Sequence, residues 1–188
     1  LLEFFLNLQA KTITSIIVIL FIASLTETLK TYLRTRTKYM ALIKSISGIR
    51  GTIGGKPGEG LIPQDIVKFT AAFCTFVKQK RQKDKLRVVI GRDARLSGRL
   101  VNSIVCGTLE AMGVDVIDIG LTTTPTTEMA VTNLNCDAGI ILTASHNPKQ
   151  WNALKLLNHL GEFISAEDGA AVLEIADKEA YTFAEINQ

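Results

Sequence analysis

The sequence predicts an α/β domain, on three observations. Short β-rich apolar runs, Leu86–Gly91, Val114–Ile119 and Ala138–Leu142, alternate with stretches that carry apolar residues at helical spacing. The first two runs bracket one such helical stretch. Together they form a β-α-β unit, which implies a parallel pair joined by a right-handed crossover. A hydrophobic content of 47% with 21% charged residues over 188 residues supplies the core of one domain and argues against disorder.

The elements follow in order. Ala41–Ser47 reads as a short strand leading into a glycine-rich segment with Gly48, Gly51, Gly54, Gly55, Gly58 and Gly60. Pro63 opens a helix to about Gln79, because Ile66, Phe69, Phe73 and Val77 recur at helical spacing as one buried stripe. The charge run Lys78–Lys85 is expected as a solvated helix end and turn. Leu86–Gly91 is a buried strand. Ser97 stands where an N-cap is expected for a helix through Met112, with Leu100, Ile104, Val105 and Leu109 on its inner face. Gly113 is its stop. Val114–Ile119 is the next strand, and Pro125 sits in the first turn of a helix to about Leu134. Ala138–Leu142 and Leu154–Leu157 are further strands, and Phe163-Ile164 ends a hairpin-like return. Ser165-Ala-Glu-Asp168 resembles a capping box for a last helix to about Lys178. No internal repeat and no low-complexity segment interrupts this order.

Residues 1–39 differ from the rest. Thr12 to Thr26 lies between Lys11 and Glu27 without a charge, and Ile16 to Ile22 is wholly apolar. A membrane-spanning helix needs about 20 such residues, so the run is short. Its length matches a signal-peptide apolar region, yet no A-x-A site follows, and Glu3 falls where basic residues are expected. The expectation is an apolar leader that is not native or not part of the fold, ahead of a domain over 40–188 that starts at Met40. Two other readings stay open: an anchor or signal, with Arg34, Arg36 and Lys38 as its cytoplasmic flank, and a native helix that packs.

Charge and cysteines narrow the function. A net charge of +3, with no basic stripe interleaved with aromatics, predicts no nucleic-acid partner. Cys74, Cys106 and Cys136 are odd in number and widely spaced, which argues against a zinc site or a disulfide framework. Cys74 and Cys106 fall in helical patterns and read as buried, reduced thiols of a cytoplasmic protein. No membrane partner is expected.

The segment richest in chemistry is Thr143-Ala-Ser-His-Asn-Pro148, directly after a buried strand. Ligand sites of open α/β sheets lie outside the carboxyl ends of strands. Pro148 ends regular structure and biases Asn147 toward an extended backbone. Taken alone, Ser145 and His146 also fit an ordinary polar loop, since adjacent residues seldom pair as nucleophile and base. Gly54-Gly-Lys-Pro-Gly58 is not a phosphate-binding P-loop: it lacks the G-K-[ST] ending, and Pro57 interrupts the cradle of N–H groups.

The whole motif, followed by Asn152 and Lys155, closely resembles the active-site loop of the α-D-phosphohexomutases, which include phosphoglucomutase, phosphomannomutase and phosphoglucosamine mutase. Two further segments match in order. Ser47-Gly-Ile-Arg-Gly51 resembles the N-terminal signature of that superfamily, and Gly91-Arg-Asp-Ala-Arg-Leu-Ser-Gly98 resembles its G-R-D-x-R-x-S-G segment. The resemblance runs from about residue 43 to 180. It implies the first domain of such an enzyme, a three-layer α/β/α domain with a mostly parallel mixed sheet. One departure is Ala153, where many relatives have glycine.

Residue by residue, the resemblance makes Ser145 the carrier of the catalytic phosphoryl group. A phosphoserine brings roughly −1.5 to −2 charges and three strong acceptor oxygens. It implies Mg²⁺ as cofactor, held by a phosphoryl oxygen on Ser145 and by three aspartates of the next domain. Arg50 matches an arginine that grips phosphate oxygens. His146 and Lys155 match active-site residues, and strand alternation turns Lys155 away from Leu154 and Leu156. Asn147 and Asn152 complete the expected substrate-side set, Asn147 more as a shaper of the loop. Arg92, Asp93 and Arg95 are expected as a charge network bracing the loop beside Ser97.

The implied reaction interconverts hexose 1- and 6-phosphates of glucose, mannose or glucosamine, with a hexose 1,6-bisphosphate intermediate. The resemblance leans toward the glucosamine or mannose enzymes. The metal loop, the sugar-selecting loop and a C-terminal phosphate loop belong to later domains of the relatives. The partners expected are thus a phosphosugar and the remaining domains of the same polypeptide. A non-catalytic phosphosugar-binding or regulatory module, tethered by its N-terminus, is the alternative. A generic α/β phosphatase would need an acidic nucleophile or metal cluster that the sequence does not display.

Overall fold

The computed structural model describes residues 15–31, 42–45 and 48–185. Met40, Ser47 and the basic residues Arg34, Arg36 and Lys38 lie outside the described residues. The chain divides into two units, Leu1–Tyr39 and Met40–Gln188. In the first, residues 15–31 form a helix (α1) whose described residues are all exposed. Among the described residues, no helix is long and apolar enough to cross a membrane.

The second unit is built on a six-stranded sheet. Its strands are β1 (Leu42–Ser45), β2 (Gly48–Thr52), β3 (Arg87–Arg92), β4 (Asp115–Leu121), β5 (Ala138–Leu142) and β6 (Trp151–Leu157), in the order β1-β2-β6-β5-β3-β4. β4, β3 and β5 pair in parallel, while β6 runs antiparallel between β5 and β2, and β1 antiparallel to β2. The sheet is therefore mixed, with β2, β3, β4 and β5 all pointing one way. The helices are α2 (Pro63–Arg81), α3 (Gly98–Ala111), α4 (Thr124–Asn133) and α5 (Ala166–Asp177).

Strand alternation decides what each face buries. Val88 and Ile90 of β3, with Ile140 and Leu142 of β5, turn to the large core that α2, α3 and α5 cover through Phe69, Phe73, Val105, Leu109 and Val172. Val89 points the other way, joining Val131, Cys136 and Leu157 beneath α4. Three layers result: α2, α3 and α5, then the sheet, then α4.

Most elements lie where the sequence places them, and the departures have physical reasons. The glycine-rich segment expected after the first strand begins with a strand of its own, β2, inside the sheet. Gly48 there has φ +122°, and a Cβ would stand 2.4 Å from the Leu154 carbonyl oxygen, so glycine serves close strand approach rather than a turn. β6 begins three residues earlier than expected, at Trp151. Ser97 does not cap α3: its backbone is helical and its side chain makes no cap bond. Its Oγ instead accepts from Asn152 Nδ2 at 3.0 Å. The inner face of α3 correspondingly uses Val101, and Leu100 is 51% exposed. Ser165 does cap α5, accepting the Asp168 N–H at 3.1 Å. Cys74 and Cys136 are buried, whereas Cys106 is only partly so. Burial pushes the Cys74 and Cys106 thiols up to about 11.

The charge run after α2 is also not simply solvated. Asp137, at the head of β5, accepts from Lys83 Nζ at 2.7 Å and from the Arg87 N–H at 3.1 Å. Burial by itself would raise its carboxyl. The Lys83 and Arg87 hydrogen bonds and the Lys83 and Arg81 charges override burial and hold it below the ordinary carboxylate range. A depressed folded-state value contributes stability that is present above the unfolded value of about 4. That contribution is lost as pH falls through the folded value. Denaturant unfolding followed from pH 7 to pH 3 will show this acid limb, and Asp137→Asn will flatten it while lowering stability at pH 7.

Candidate functional site

β5 ends at Leu142, and the loop 143–150 carries the chain over the carboxyl edge of the sheet before β6 returns antiparallel. Two interactions shape its turn: the Asn147 N–H and Nδ2 both donate to the Ala144 carbonyl, at 3.0 and 2.8 Å. Ser145 stands at the crest with φ +53°, in the left-handed region that a serine occupies only when its surroundings impose it.

Those surroundings come from the loop after β3. The Arg95 guanidinium donates to the carbonyl oxygens of Ser145 (2.7 Å), Asn147 (2.8 Å), Pro148 (2.8 Å) and Trp151 (3.0 Å). Its Nε donates to Asp93 Oδ2 at 3.2 Å, so all five donors are engaged. Asp93 Oδ2 also accepts from Thr143 Oγ1 at 2.7 Å, and that hydroxyl oxygen accepts the Ser145 N–H at 3.2 Å. Asp93 and Arg95 thus brace the loop, as expected of them. Arg92 takes no part in this bracing: among the described residues its guanidinium donates to the Asp93 carbonyl alone, at 3.5 Å.

Beside Ser145 lies a cleft of about 220 Å³ that brings together five of the six expected site residues: Arg50, Ser145, His146, Asn147 and Lys155. Three adjacent strands supply them. β2 presents Arg50, which pairs with Ala153 of β6. β6 presents Lys155 two residues on, on the same face as Ala153. β5 leads into Ser145 and His146. Asn152 is not brought to the cleft. It lies one step out of phase on β6, fully buried, bonded to Ser97 Oγ and to the Ala153 N–H. It ties the loop to the start of α3.

The lining holds two basic side chains, Arg50 and Lys155, and no carboxylate. Arg50 Nε is buried and has no hydrogen-bond partner among the described residues. A cleft lined by two cationic side chains and no carboxylate is complementary to an anion. Among the described residues, no group of three or more His, Cys, Asp or Glu side chains could hold a metal ion. A divalent cation here would find no carboxylate in the lining of the cleft.

No motif marks Phe163 as a site residue. It follows the β6 return, lines the cleft, and lies under Lys155 with Nζ 5.6 Å from its ring centroid. The Thr143 hydroxyl link was also unforeseen, although Thr143 stood inside the motif.

Two outcomes follow from this geometry. Ser145→Gly, which accepts positive φ freely, is expected to be more stable than Ser145→Ala by about 1 kcal/mol, measured by denaturant unfolding of the two variants. Arg95→Ala leaves four carbonyls without their donor and is expected to cost about 2–3 kcal/mol. Amide hydrogen exchange at residues 145–147 will rise well beyond the global change. Arg95→Lys will recover little, since an ammonium cannot reproduce the planar fork.

Residues 42–183 match the family model described as phosphoglucomutase/phosphomannomutase, alpha/beta/alpha domain I. A phosphoglucomutase/phosphomannomutase of Thermococcus kodakarensis is 36% identical over 73% of this chain and 30% of its own length. A phosphoglucosamine mutase of Helicobacter pylori is 36% identical over 68% of this chain and 28% of its own. Among solved structures, a phosphoglucomutase/phosphomannomutase family protein of Burkholderia thailandensis superposes with a TM-score of 0.62 at 25% identity, over 80% of this chain and 32% of that one. The chain therefore spans about 30% of the length of the curated relatives it matches. By the match of most of its length, the chain belongs to the phosphoglucomutase/phosphomannomutase family, of which it carries the α/β/α domain I.

Proposed function

We propose that this chain is the phosphoryl-carrying first domain of a phosphohexomutase acting on a hexose phosphate, with Ser145 as the carrier. The observation that supports this most directly is the placement of Ser145, at the crest of a braced loop, with Arg50 and Lys155 in a cleft without carboxylates. A loop held this firmly fixes the position of a reacting oxygen, and positioning dominates phosphoryl transfer.

In the proposed cycle, phosphorylated Ser145 gives its phosphoryl group to a free hydroxyl of a hexose monophosphate. The bond from phosphorus to Ser145 Oγ breaks, a bond to the sugar oxygen forms, and the hydroxyl proton is taken up by a base. The resulting 1,6-bisphosphate presents its other phosphate, which returns to Ser145. Arg50 and Lys155 offset the charge of the phosphoryl group, and Lys155 or His146 moves the hydroxyl proton. Mg²⁺, when bound, would supply further charge neutralisation at a phosphoryl oxygen on Ser145. Its carboxylate ligands would come from further domains of a longer polypeptide, in keeping with the greater length of the relatives. Glucosamine and mannose phosphates are the favoured substrates, since named relatives act on that class. Buried free thiols support a cytoplasmic site of action.

The cleft is only one wall of such a site, so the chain alone is expected to fold without mutase turnover. The check is hexose 1-phosphate to 6-phosphate conversion by purified chain against a Ser145→Ala control. Turnover above that control overturns the need for further domains. Joined to the remaining domains of a relative, the same segment is expected to restore turnover, and Ser145→Ala to abolish it.

A further inference from the structure

At the opposite end of β5 from Ser145, two adjoining cavities of about 170 and 330 Å³ share Arg81, Asp137 and His159. They lie where β3 and β5 begin, at the end of α2. The ion pairs there are unevenly matched. Lys80 is paired with Asp168 at 2.5 Å, and Lys83 with Asp137 at 2.7 Å. Asp137 also accepts the Arg87 N–H. Arg81 is left over. Its Nε stands 3.7 Å from Asp137 Oδ1, beyond hydrogen-bond reach, and is buried with no acceptor among the described residues.

Three cations therefore face two carboxylates, and the one held least closely is a guanidinium, whose planar fork fits oxyanions. Placement of Arg81 in the last turn of α2 suits the helix dipole, but the dipole gives its Nε–H no acceptor. The excess of one cation over the carboxylates leaves positive charge beside both cavities, which is complementary to an anion. Around the larger cavity, Thr132 and Asn135 add neutral polar groups, and His159 stands exposed on the rim. A volume of about 330 Å³ is within the range of small-molecule sites.

We propose that this pocket is a second anion site, which takes the phosphate group of a small ligand through Arg81 and Lys83. It is separate from the Ser145 cleft and does not depend on the function proposed for that cleft.

The test is a titration of the isotope-labelled chain with inorganic phosphate and, separately, with glucose 6-phosphate, read from backbone amide shifts. Saturable shifts are expected at residues 135–137 and 158–160 as well as around Ser145. Arg81→Gln should weaken binding at the first set about tenfold and leave the Ser145 set in place, and Arg50→Gln should do the reverse. Lys83→Gln serves as the second variant if Arg81→Gln does not fold. Tighter binding of glucose 6-phosphate assigns the site to a phosphate ester, and equal or weaker binding assigns it to free phosphate. Absence of saturable shifts at residues 135–137 and 158–160 with both probes, or affinity there unchanged in the folded variant, overturns the proposal.

Discussion

The Arg95 guanidinium holds the loop from which every other distance in the site is set. Surface loops have few internal ties, and their carbonyls normally face water. Here the carbonyls of Ser145, Asn147, Pro148 and Trp151 all converge on one planar cation. The Asp93 carboxylate offsets that cation and reaches the Ser145 N–H through the Thr143 hydroxyl. The loop is thereby given the rigidity of a regular element, and Ser145 can be kept in a backbone conformation it would not adopt alone. Since Asp93 neutralises Arg95, the positive character of the cleft falls to Arg50 and Lys155.

Sheet topology explains why these groups meet. β6 runs antiparallel between β5 and β2, so the strand that returns from the serine loop lies directly against the strand that carries Arg50. One more residue in register would exchange Lys155 for a buried leucine, because side chains alternate faces along a strand. The close contact of Gly48 with Leu154 belongs to the same constraint: it lets β2 approach β6 at the point where the cleft opens. The charge-bearing residues of the two ends of β5 are divided in kind. At its carboxyl end Arg50 and Lys155 line a cleft without carboxylates, and at its amino end Lys80, Arg81 and Lys83 face aspartates.

Much of this was legible in the sequence, for identifiable reasons. α2 and β5 declare themselves through period and length, and Ser165 signals the start of α5 by chemistry that acts within four residues. The serine loop and its cationic companions are legible because three motifs occur in order. What was not legible depends on contacts distant in sequence. β2 looks like a loop because its glycines serve strand approach, which only the partner strand reveals. Ser97 looks like a cap because local pattern cannot show Asn152 reaching it from 55 residues away. Asn152 looks like a site residue because it adjoins the motif, and only the phase of β6 sends it inward. Phe163 carries no motif at all; it is placed by the return of the chain along Leu157.

The positive φ of Ser145 bears on which amino acids could occupy that position at all. Serine and threonine offer the same hydroxyl, and chemistry alone would accept either as an ester-forming group. The backbone does not. A left-handed residue with a second substituent on Cβ crowds its own main chain, so β-branched side chains are genuine outliers there. The alphabet open to this crest is small: glycine, asparagine and aspartate, which tolerate the conformation, and serine, the smallest residue that brings a hydroxyl to it. A hydroxyl at this point is thereby narrowed to one residue type by the shape of the turn alone.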